Sequence, residues 1–197
     1  MTTFQIHTVE TAPEKSKDLL KGAQAKMGMI PNVLAAISES PALLKSYMDV
    51  SGNAAALGTF NATETQVVQM TANYFNECTY CLAAHTTLAE KGGVPRDILN
   101  ALREDKPLSD KKLEALRLYT KALLEKQGWA TDADLKAFFN AGYSKAQALE
   151  VILHLSVKLI TNYVNHIAQT PLDAAFESNK VEKTAGCGCG SKTSCAA

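Results

Sequence analysis

The sequence predicts an all-α protein, and three observations support this fold class. Proline is absent between positions 41 and 95 and between 107 and 171, and such intervals accommodate long helices. Within them, apolar residues recur at spacings of three, four and seven, which is the periodicity of a helix face. No segment shows sustained alternation of apolar and polar residues with β-branched enrichment, as a half-buried strand would.

Caps and stop signals divide the chain into helices. Ser40 followed by Pro41 is an N-cap and first-turn pair, and Gly92-Gly93 with Pro95 ends a helix. The last helix is apolar on most sides, so we expect it to be the central, most buried one. The predicted helices are, in chain order, Pro13–Met27, one from Pro31, one from Pro41, one capped by Thr63 that ends near Asn76, Cys78–Lys91, Pro95–Arg103, Ser109–Lys126, one capped by Thr131 or Asp132 that runs through Ala141, and one capped by Ser144.

Length and charge limit the class of protein. The 197 residues suit one domain, predicted at 1–177, followed by a mobile Cys/Gly-rich tail at 178–197. Lys plus Arg and Asp plus Glu each number 20, without a basic run, so neither nucleic acid nor an anionic membrane is an expected partner. The start lacks a signal-peptide pattern, and the most apolar stretch, 146–172, is interrupted by polar residues. We therefore expect a soluble cytoplasmic protein.

The motif Cys78-x2-Cys81-x3-His85 carries the chemistry. At about 100° per residue, Cys81 lies about 60° and His85 about 20° around a helix from Cys78, so all three share one stripe. Sulfurs three residues apart near a helix start can approach disulfide distance, and the helix N-terminus favours the thiolate. His85 can accept the thiol proton. A nucleophile, a resolving thiol and a base are the parts of a redox dithiol.

Other readings of the motif stay open. A structural metal site would need a fourth ligand beyond Cys78, Cys81 and His85, for example His166 or a tail cysteine. The two cysteines could also be inert core residues, or a redox sensor that oxidises once without turnover. A thioredoxin fold is excluded, because it needs strands around its cysteines.

Four segments resemble a known family. They are Glu77–Thr86, Gly28–Asn32 with Ser40-Pro41, Asn162–Ala168, and Thr170–Asp173. Together they are similar to the AhpD-like alkylhydroperoxidases of the carboxymuconolactone decarboxylase superfamily, over residues 28–176.

The resemblance implies an all-helical enzyme that assembles as trimers or hexamers and reduces hydroperoxides, or a partner's disulfide, without a metal or other cofactor. Cys81 would attack the peroxide and become a sulfenic acid, and Cys78 would resolve it to a disulfide. His85 would belong to the proton relay. An external dithiol or protein reductant would reopen the disulfide. Decarboxylase members lack the paired cysteines, so that activity is not implied.

Two further residues are candidates for the site. Gln66 stands where the family motif has a glutamate, and an amide orients a histidine but accepts no proton at ordinary pH. Glu64, two positions earlier, should face elsewhere. We predict that Gln66→Glu raises the rate of thiol oxidation at pH 7. His166, near Asn162 and Asn165, belongs to a buried polar cluster, a subunit contact or the redox pocket.

The tail cysteines Cys187, Cys189 and Cys195 resemble nothing in the family. They could form a tethered reductant that exchanges with Cys78–Cys81, capture a soft metal ion such as copper(I) or zinc, or be dispensable. The sequence does not decide between these three.

Overall fold

The computed structural model describes residues 4–182 and confirms the fold class, with no strand in that range. The helices are α1 (Glu14–Met27), α2 (Asn32–Ile37), α3 (Pro41–Leu57), α4 (Ala62–Phe75), α5 (Thr79–Lys91), α6 (Arg96–Arg103), α7 (Lys111–Glu125), α8 (Asp132–Asn140), α9 (Lys145–Ala168) and a 3-10 helix at Ala174–Asn179.

Three of the predicted caps are confirmed and one is wrong. The side chains of Ser40, Thr131 and Ser144 accept backbone N–H groups at the starts of α3, α8 and α9. Helix α4, however, is capped by Asn61 rather than Thr63. Asn61 accepts the Glu64 N–H at 2.9 Å and Glu64 accepts the Asn61 N–H at 3.1 Å, and these two reciprocal bonds form a capping box.

Helix α5 lies between two hydrophobic cores. On one side, Leu82 and Ala89 pack into a core built from α4, α6, α7, α8 and α9. On the other side, Cys81 and Ala84 belong to a second core with α1, α2, α3 and Phe176 of the 3-10 helix. The site cysteines are therefore surrounded by apolar residues.

Helix α9 is not the central buried helix that its composition suggests. Its inner face packs on α2, α3, α4, α5 and α8, whereas its outer face exposes a row of large apolar side chains. These are Leu149, Ile152, Leu159, Tyr163 and Ile167. Composition alone does not distinguish a helix buried on all sides from one that keeps an apolar face for another partner.

Packing continues beyond residue 177, where we expected the tail to begin. Asn179 is buried, donates to Thr87 Oγ1 at 3.1 Å and accepts from Arg103 through its backbone carbonyl at 2.9 Å. The predicted tail beyond residue 182, with its three cysteines, lies outside the described residues. Within 4–182, no helix is both long enough and apolar enough to cross a membrane.

Candidate active site

The turn between α4 and α5 positions both cysteines. Glu77 has a positive φ of 53°, and the Cys78 N–H donates to the Asn73 carbonyl at 2.9 Å, which ends α4 and turns the chain into α5. Cys78 is the N-cap residue of α5, and Cys81 lies in its first turn. Both sulfurs are therefore close to the positive end of the helix dipole, as the sequence predicts.

One side chain of α9 contacts both sulfurs. Asn165 Nδ2 lies 3.2 Å from Cys81 Sγ and 3.6 Å from Cys78 Sγ, and Thr161 Oγ1 lies 3.9 Å from Cys81 Sγ. Neither cysteine is in a disulfide, and each is at most 3% exposed. The amide bridges the two thiols and favours negative charge on either of them.

The two cysteines have opposite pKa shifts. Burial raises the pKa of Cys81, but a hydrogen bond from Cys78 and the positive charge of Lys158 outweigh it and lower the value to about 6. The hydrogen bond to Cys81, together with burial, raises the pKa of Cys78 above its ordinary value. These opposite shifts favour negative charge on Cys81 over Cys78.

His85 has partners on both ring nitrogens. Nδ1 donates to Gln66 Oε1 at 2.9 Å, and Nε2 accepts from Lys158 Nζ at 2.6 Å. Burial and the neighbouring ammonium hold the pKa of His85 well below its usual range, so the ring is neutral. His85 is thus linked to the thiols through Lys158, and the Gln66 oxygen favours the tautomer with the proton on Nδ1.

Lys158 is the residue that sequence reasoning missed. It is 2% exposed, and burial lowers its pKa while the thiolates raise it. The signal was present in α9, because Lys158, Thr161, Asn162 and Asn165 share a helix face at spacings of three, one and three. A polar row on a largely apolar helix marks the face that meets the site.

His166 lies on the exposed side of α9, whereas the two cysteines are buried. Its side chain is exposed, and its ring stacks with Tyr163 at a centroid distance of 6.5 Å. Asn165, one residue earlier and about 100° around the helix, occupies the site instead. Glu64 faces elsewhere, as expected, in its capping box and beside Lys112 at 3.3 Å.

A cavity of about 90 Å³ opens beside Cys81. Its polar end is formed by Cys81, His85, Lys158 and Thr161. Its remaining wall is largely apolar: Met27, Pro31, Val33, Leu34, Tyr47, Tyr80, Ala84, Leu88 and Phe176. A reactive thiolate and an ammonium therefore face a small apolar chamber.

A hydrogen-bonded brace holds the wall of this chamber. Tyr80 Oη donates to Asp173 Oδ2 at 2.5 Å and accepts the Val33 N–H at 3.3 Å. The Asp173 carboxylate also accepts the Asn32 N–H at 3.1 Å. Because Tyr80 lies between the two cysteines in sequence, the brace ties the start of α2 to the active-site turn of α5.

Within residues 4–182, no group of three or more His, Cys, Asp or Glu side chains is arranged to hold a metal ion. In this arrangement His85 has a hydrogen-bond partner on each nitrogen, so neither is available as a ligand.

The family model for the carboxymuconolactone decarboxylase family matches residues 41–121, which run from α3 into α7 and include Cys78, Cys81, His85 and Gln66. This segment belongs to that family. The resemblance inferred from the sequence is confirmed. No curated protein sequence matches the chain.

Solved structures share the fold of this chain. An uncharacterized peroxidase-related protein from Silicibacter sp. TM1040 is 18% identical, with a TM-score of 0.73 over 90% of this chain and 94% of its own. A peroxidase-related protein with an alkylhydroperoxidase AhpD core, from Ralstonia eutropha JMP134, is 16% identical, with a TM-score of 0.75 over 88% and 93%. The debrominase Bmp8 in complex with 2,3,4-tribromopyrrole is 15% identical, with a TM-score of 0.76 over 91% and 96%. The fold is therefore AhpD-like.

Proposed function

We propose that this protein is a thiol-dependent peroxidase, an AhpD-like alkyl hydroperoxide reductase that works through a Cys78–Cys81 dithiol. The observation that carries the proposal is the buried Cys81 thiolate. It accepts hydrogen bonds from Cys78 and Asn165, has the Lys158 ammonium nearby, and lines an apolar cavity. A thiolate that is nucleophilic at neutral pH, with a second thiol in contact, is what peroxide reduction to a disulfide requires.

In the first step the Cys81 thiolate, whose proton Lys158 already holds as an ammonium, attacks the terminal oxygen of the hydroperoxide. The O–O bond breaks, Cys81 gains the OH as a sulfenic acid, and the departing alkoxide takes the proton back from Lys158 to leave as an alcohol. A buried lysine is suited to this exchange because burial lowers its pKa. His85 holds the Lys158 amine in place.

In the second step the Cys78 thiol attacks the Cys81 sulfenic acid. A disulfide forms and water leaves, so the two thiols together have lost two electrons and the peroxide has gained them. An external dithiol or protein reductant then restores both thiols by exchange. A protein whose thiols must be reduced between turnovers suits the cytoplasm.

The cavity favours a small organic hydroperoxide. Its volume of about 90 Å³ is roughly that of three water molecules, and its wall is mostly apolar. The balanced formal charge, 20 basic against 20 acidic residues, gives no support to nucleic acid or a membrane as a partner.

Oxidation by one equivalent of a small alkyl hydroperoxide, ethyl hydroperoxide, tests the assignment of roles. In a background with Cys187, Cys189 and Cys195 changed to serine, mass spectrometry should find a Cys78–Cys81 disulfide. Cys78→Ser should stop at a Cys81 sulfenic acid that dimedone traps, and Cys81→Ser should not react. A sulfenic acid on Cys78 in the Cys81→Ser protein would reverse the two roles, and no oxidation in any form would reject the proposal.

Reductive dehalogenation is a second candidate, favoured by the apolar cavity and by the ammonium that can protonate a carbon atom. The thiolate would take bromine from a bromoarene, the carbon would accept a proton from Lys158, and Cys78 would displace bromide to form the disulfide. Bmp8, which has the same fold, is a debrominase. Bromide release from a bromopyrrole, compared with peroxide consumption by the same protein, separates the two activities.

We also propose that α9 joins copies of this chain into the homo-oligomer that the resemblance implies. Its exposed residues Leu149, Ile152, Leu159, Tyr163 and Ile167 follow one another at spacings of three, seven, four and four, the pattern of a helix–helix seam. The opposite face of the same helix supplies Lys158 and Asn165 to the active site. Packing α9 against a second copy would therefore also hold the catalytic face in position.

Sedimentation measures this assembly directly. Ile152→Lys with Leu159→Lys should yield monomers, because two charges would be buried in the seam. Leu57→Lys, on an exposed residue of α3, is the control and should leave the oligomer intact. A wild-type monomer, or oligomers that survive both α9 changes, would contradict the proposed interface.

A further inference from the structure

A second and larger cavity lies on the other side of α5. It is a groove of about 700 Å³. Two exposed aromatic residues at the end of α4, Tyr74 and Phe75, form part of its wall, and the last described residues, Lys180–Glu182, form another part. The remaining lining residues are Thr71, Glu77, Thr79, Leu82, Arg103, Glu104, Asp105 and Lys121.

Helix α5 separates this groove from the cavity beside Cys81. Thr79 and Leu82 line the groove, whereas Cys81 and His85 line the smaller cavity. Cys78 packs in the same core as Cys81, but both of its chain neighbours, Glu77 and Thr79, line the groove. The smaller cavity thus reaches Cys81, whereas the groove reaches the backbone on either side of Cys78.

We propose that the groove binds this chain's own C-terminal residues 183–197, and that the Cys187 thiolate attacks Cys78 of the oxidised Cys78–Cys81 pair. The inference rests on the redox role proposed above for that pair. It assigns the tail cysteines as a tethered reductant, one of the three functions that the sequence leaves open for them.

The position and composition of the tail select it as the occupant. The described chain ends at Glu182, inside the groove wall, and Cys187 follows five residues later. Five extended residues span up to about 17 Å, and a sphere with the volume of the groove is about 11 Å across. Residues 183–197 include two lysines and no acidic side chain, and the groove lining carries four acidic residues (Glu77, Glu104, Asp105 and Glu182) against three basic ones (Arg103, Lys121 and Lys180).

The exchange balances without an added oxidant. Cys187 forms a bond to Cys78 Sγ, the Cys78–Cys81 bond breaks, and Cys81 leaves as a thiolate beside Lys158. Cys189 then attacks Cys187 and forms a tail disulfide. Cys78 leaves and takes up the proton that Cys189 released, so two electrons have moved from the tail to the active site. An external dithiol reduces the tail disulfide.

The direction of attack follows from the environments of the two sulfurs. In thiol–disulfide exchange the more acidic thiol is the better leaving group, and here that thiol is Cys81. Attack on Cys78 releases it, whereas attack on Cys81 would expel the less acidic Cys78. Cys78 is 2% exposed, so the exchange includes a local opening of the turn around Glu77.

Trapping the mixed disulfide tests the proposal in the full chain. A protein with Cys81, Cys189 and Cys195 changed to serine retains only Cys78 and Cys187, and its matched control retains Cys81 and Cys187 through Cys78→Ser instead. With one equivalent of diamide at micromolar protein, the first protein should form an intramolecular disulfide at a rate independent of concentration, since a tether supplies millimolar effective concentration. This rate should be at least tenfold faster than that of the control, because the groove reaches the Cys78 side of α5 and not Cys81.

A groove variant separates docking from simple tethering. Tyr74→Ala with Phe75→Ala should slow formation of the Cys78–Cys187 disulfide at least threefold, whereas Trp129→Ala, which removes an exposed aromatic residue outside the groove, should leave it unchanged. Crosslinks between chains only would overturn the proposal in favour of a second copy as the occupant. Equal rates in the two trapping proteins, or no effect of the groove variant, would reject the docked approach to Cys78.

These outcomes are distinguishable from failure of the proposed function. The protein with all three tail cysteines changed to serine should still reduce peroxide when dithiothreitol is supplied in excess. Loss of turnover in that protein would refute the proposed peroxidase activity. Normal turnover, together with no Cys78–Cys187 disulfide in the trapping experiment, would refute only the proposed role of the tail.

Discussion

Replacing the buried ammonium by Lys158→Met should deprive Cys81 of its thiolate at neutral pH. The pKa of Cys81 is lowered from 9.0 to about 6, which corresponds to about 4 kcal/mol in favour of the charged form. Without the charge of Lys158, only hydrogen bonds still favour the Cys81 thiolate, and burial opposes them by favouring the neutral thiol. If the pKa returns to about 9, the thiolate fraction at pH 7 falls from about 90% to about 1%. The more basic thiolate is intrinsically more nucleophilic, so we expect the peroxide rate to fall at least tenfold rather than by the full ratio.

The assay is the pH dependence of iodoacetamide alkylation of Cys81 in a background that lacks the tail cysteines. The alkylation rate of the parent should rise through an inflection near pH 6, and that of Lys158→Met should rise only toward pH 9 or above. Lys145→Met, on the exposed first turn of the same helix, is the matched control. An inflection that stays near pH 6 in Lys158→Met would refute the electrostatic account.

Two other site residues give separate tests by stopped-flow oxidation. Gln66→Glu should raise the thiol oxidation rate at pH 7 a few-fold, because a carboxylate 2.9 Å from His85 raises the imidazole pKa and lets the ring hold a proton. Gln24→Glu, on an exposed face of α1, is its control. An unchanged or lower oxidation rate in Gln66→Glu would remove Gln66 from the relay. Asn165→Ala should raise the Cys81 pKa and slow disulfide closure, because the amide that donates to both sulfurs is lost. If neither the oxidation of Cys81 nor the closure of the disulfide slows, Asn165 contributes packing alone.

Local signals were sufficient to predict the order of the helices. The prolines, the Gly92-Gly93 stop and the serine and threonine caps are local features, and local backbone chemistry decides where a helix begins and ends. The same holds for the stripe of Cys78, Cys81 and His85. The error at Thr63 arose because Asn61 is also a good cap, and the capping box with Glu64 decides between them.

Which face of α9 meets the site could not be read from the sequence, because that depends on how the helices pack. The apolar outer row and the polar inner row lie on opposite faces of one helix. The sequence favours His166, an ionisable residue, over its neighbour Asn165, yet a shift of one residue turns a side chain by about 100°. It does not single out Lys158, because a single lysine in an apolar helix is more often at the protein surface than buried against a thiolate.

Steady-state peroxide consumption tests the central claim most directly. The protein to use is the full chain with Cys187, Cys189 and Cys195 changed to serine, free of metal, with dithiothreitol as electron donor and the additional Cys81→Ser change as control. We predict multiple turnovers per subunit that disappear with Cys81→Ser. Consumption of a single equivalent, or turnover that persists without Cys81, would contradict a catalytic role for the buried dithiol.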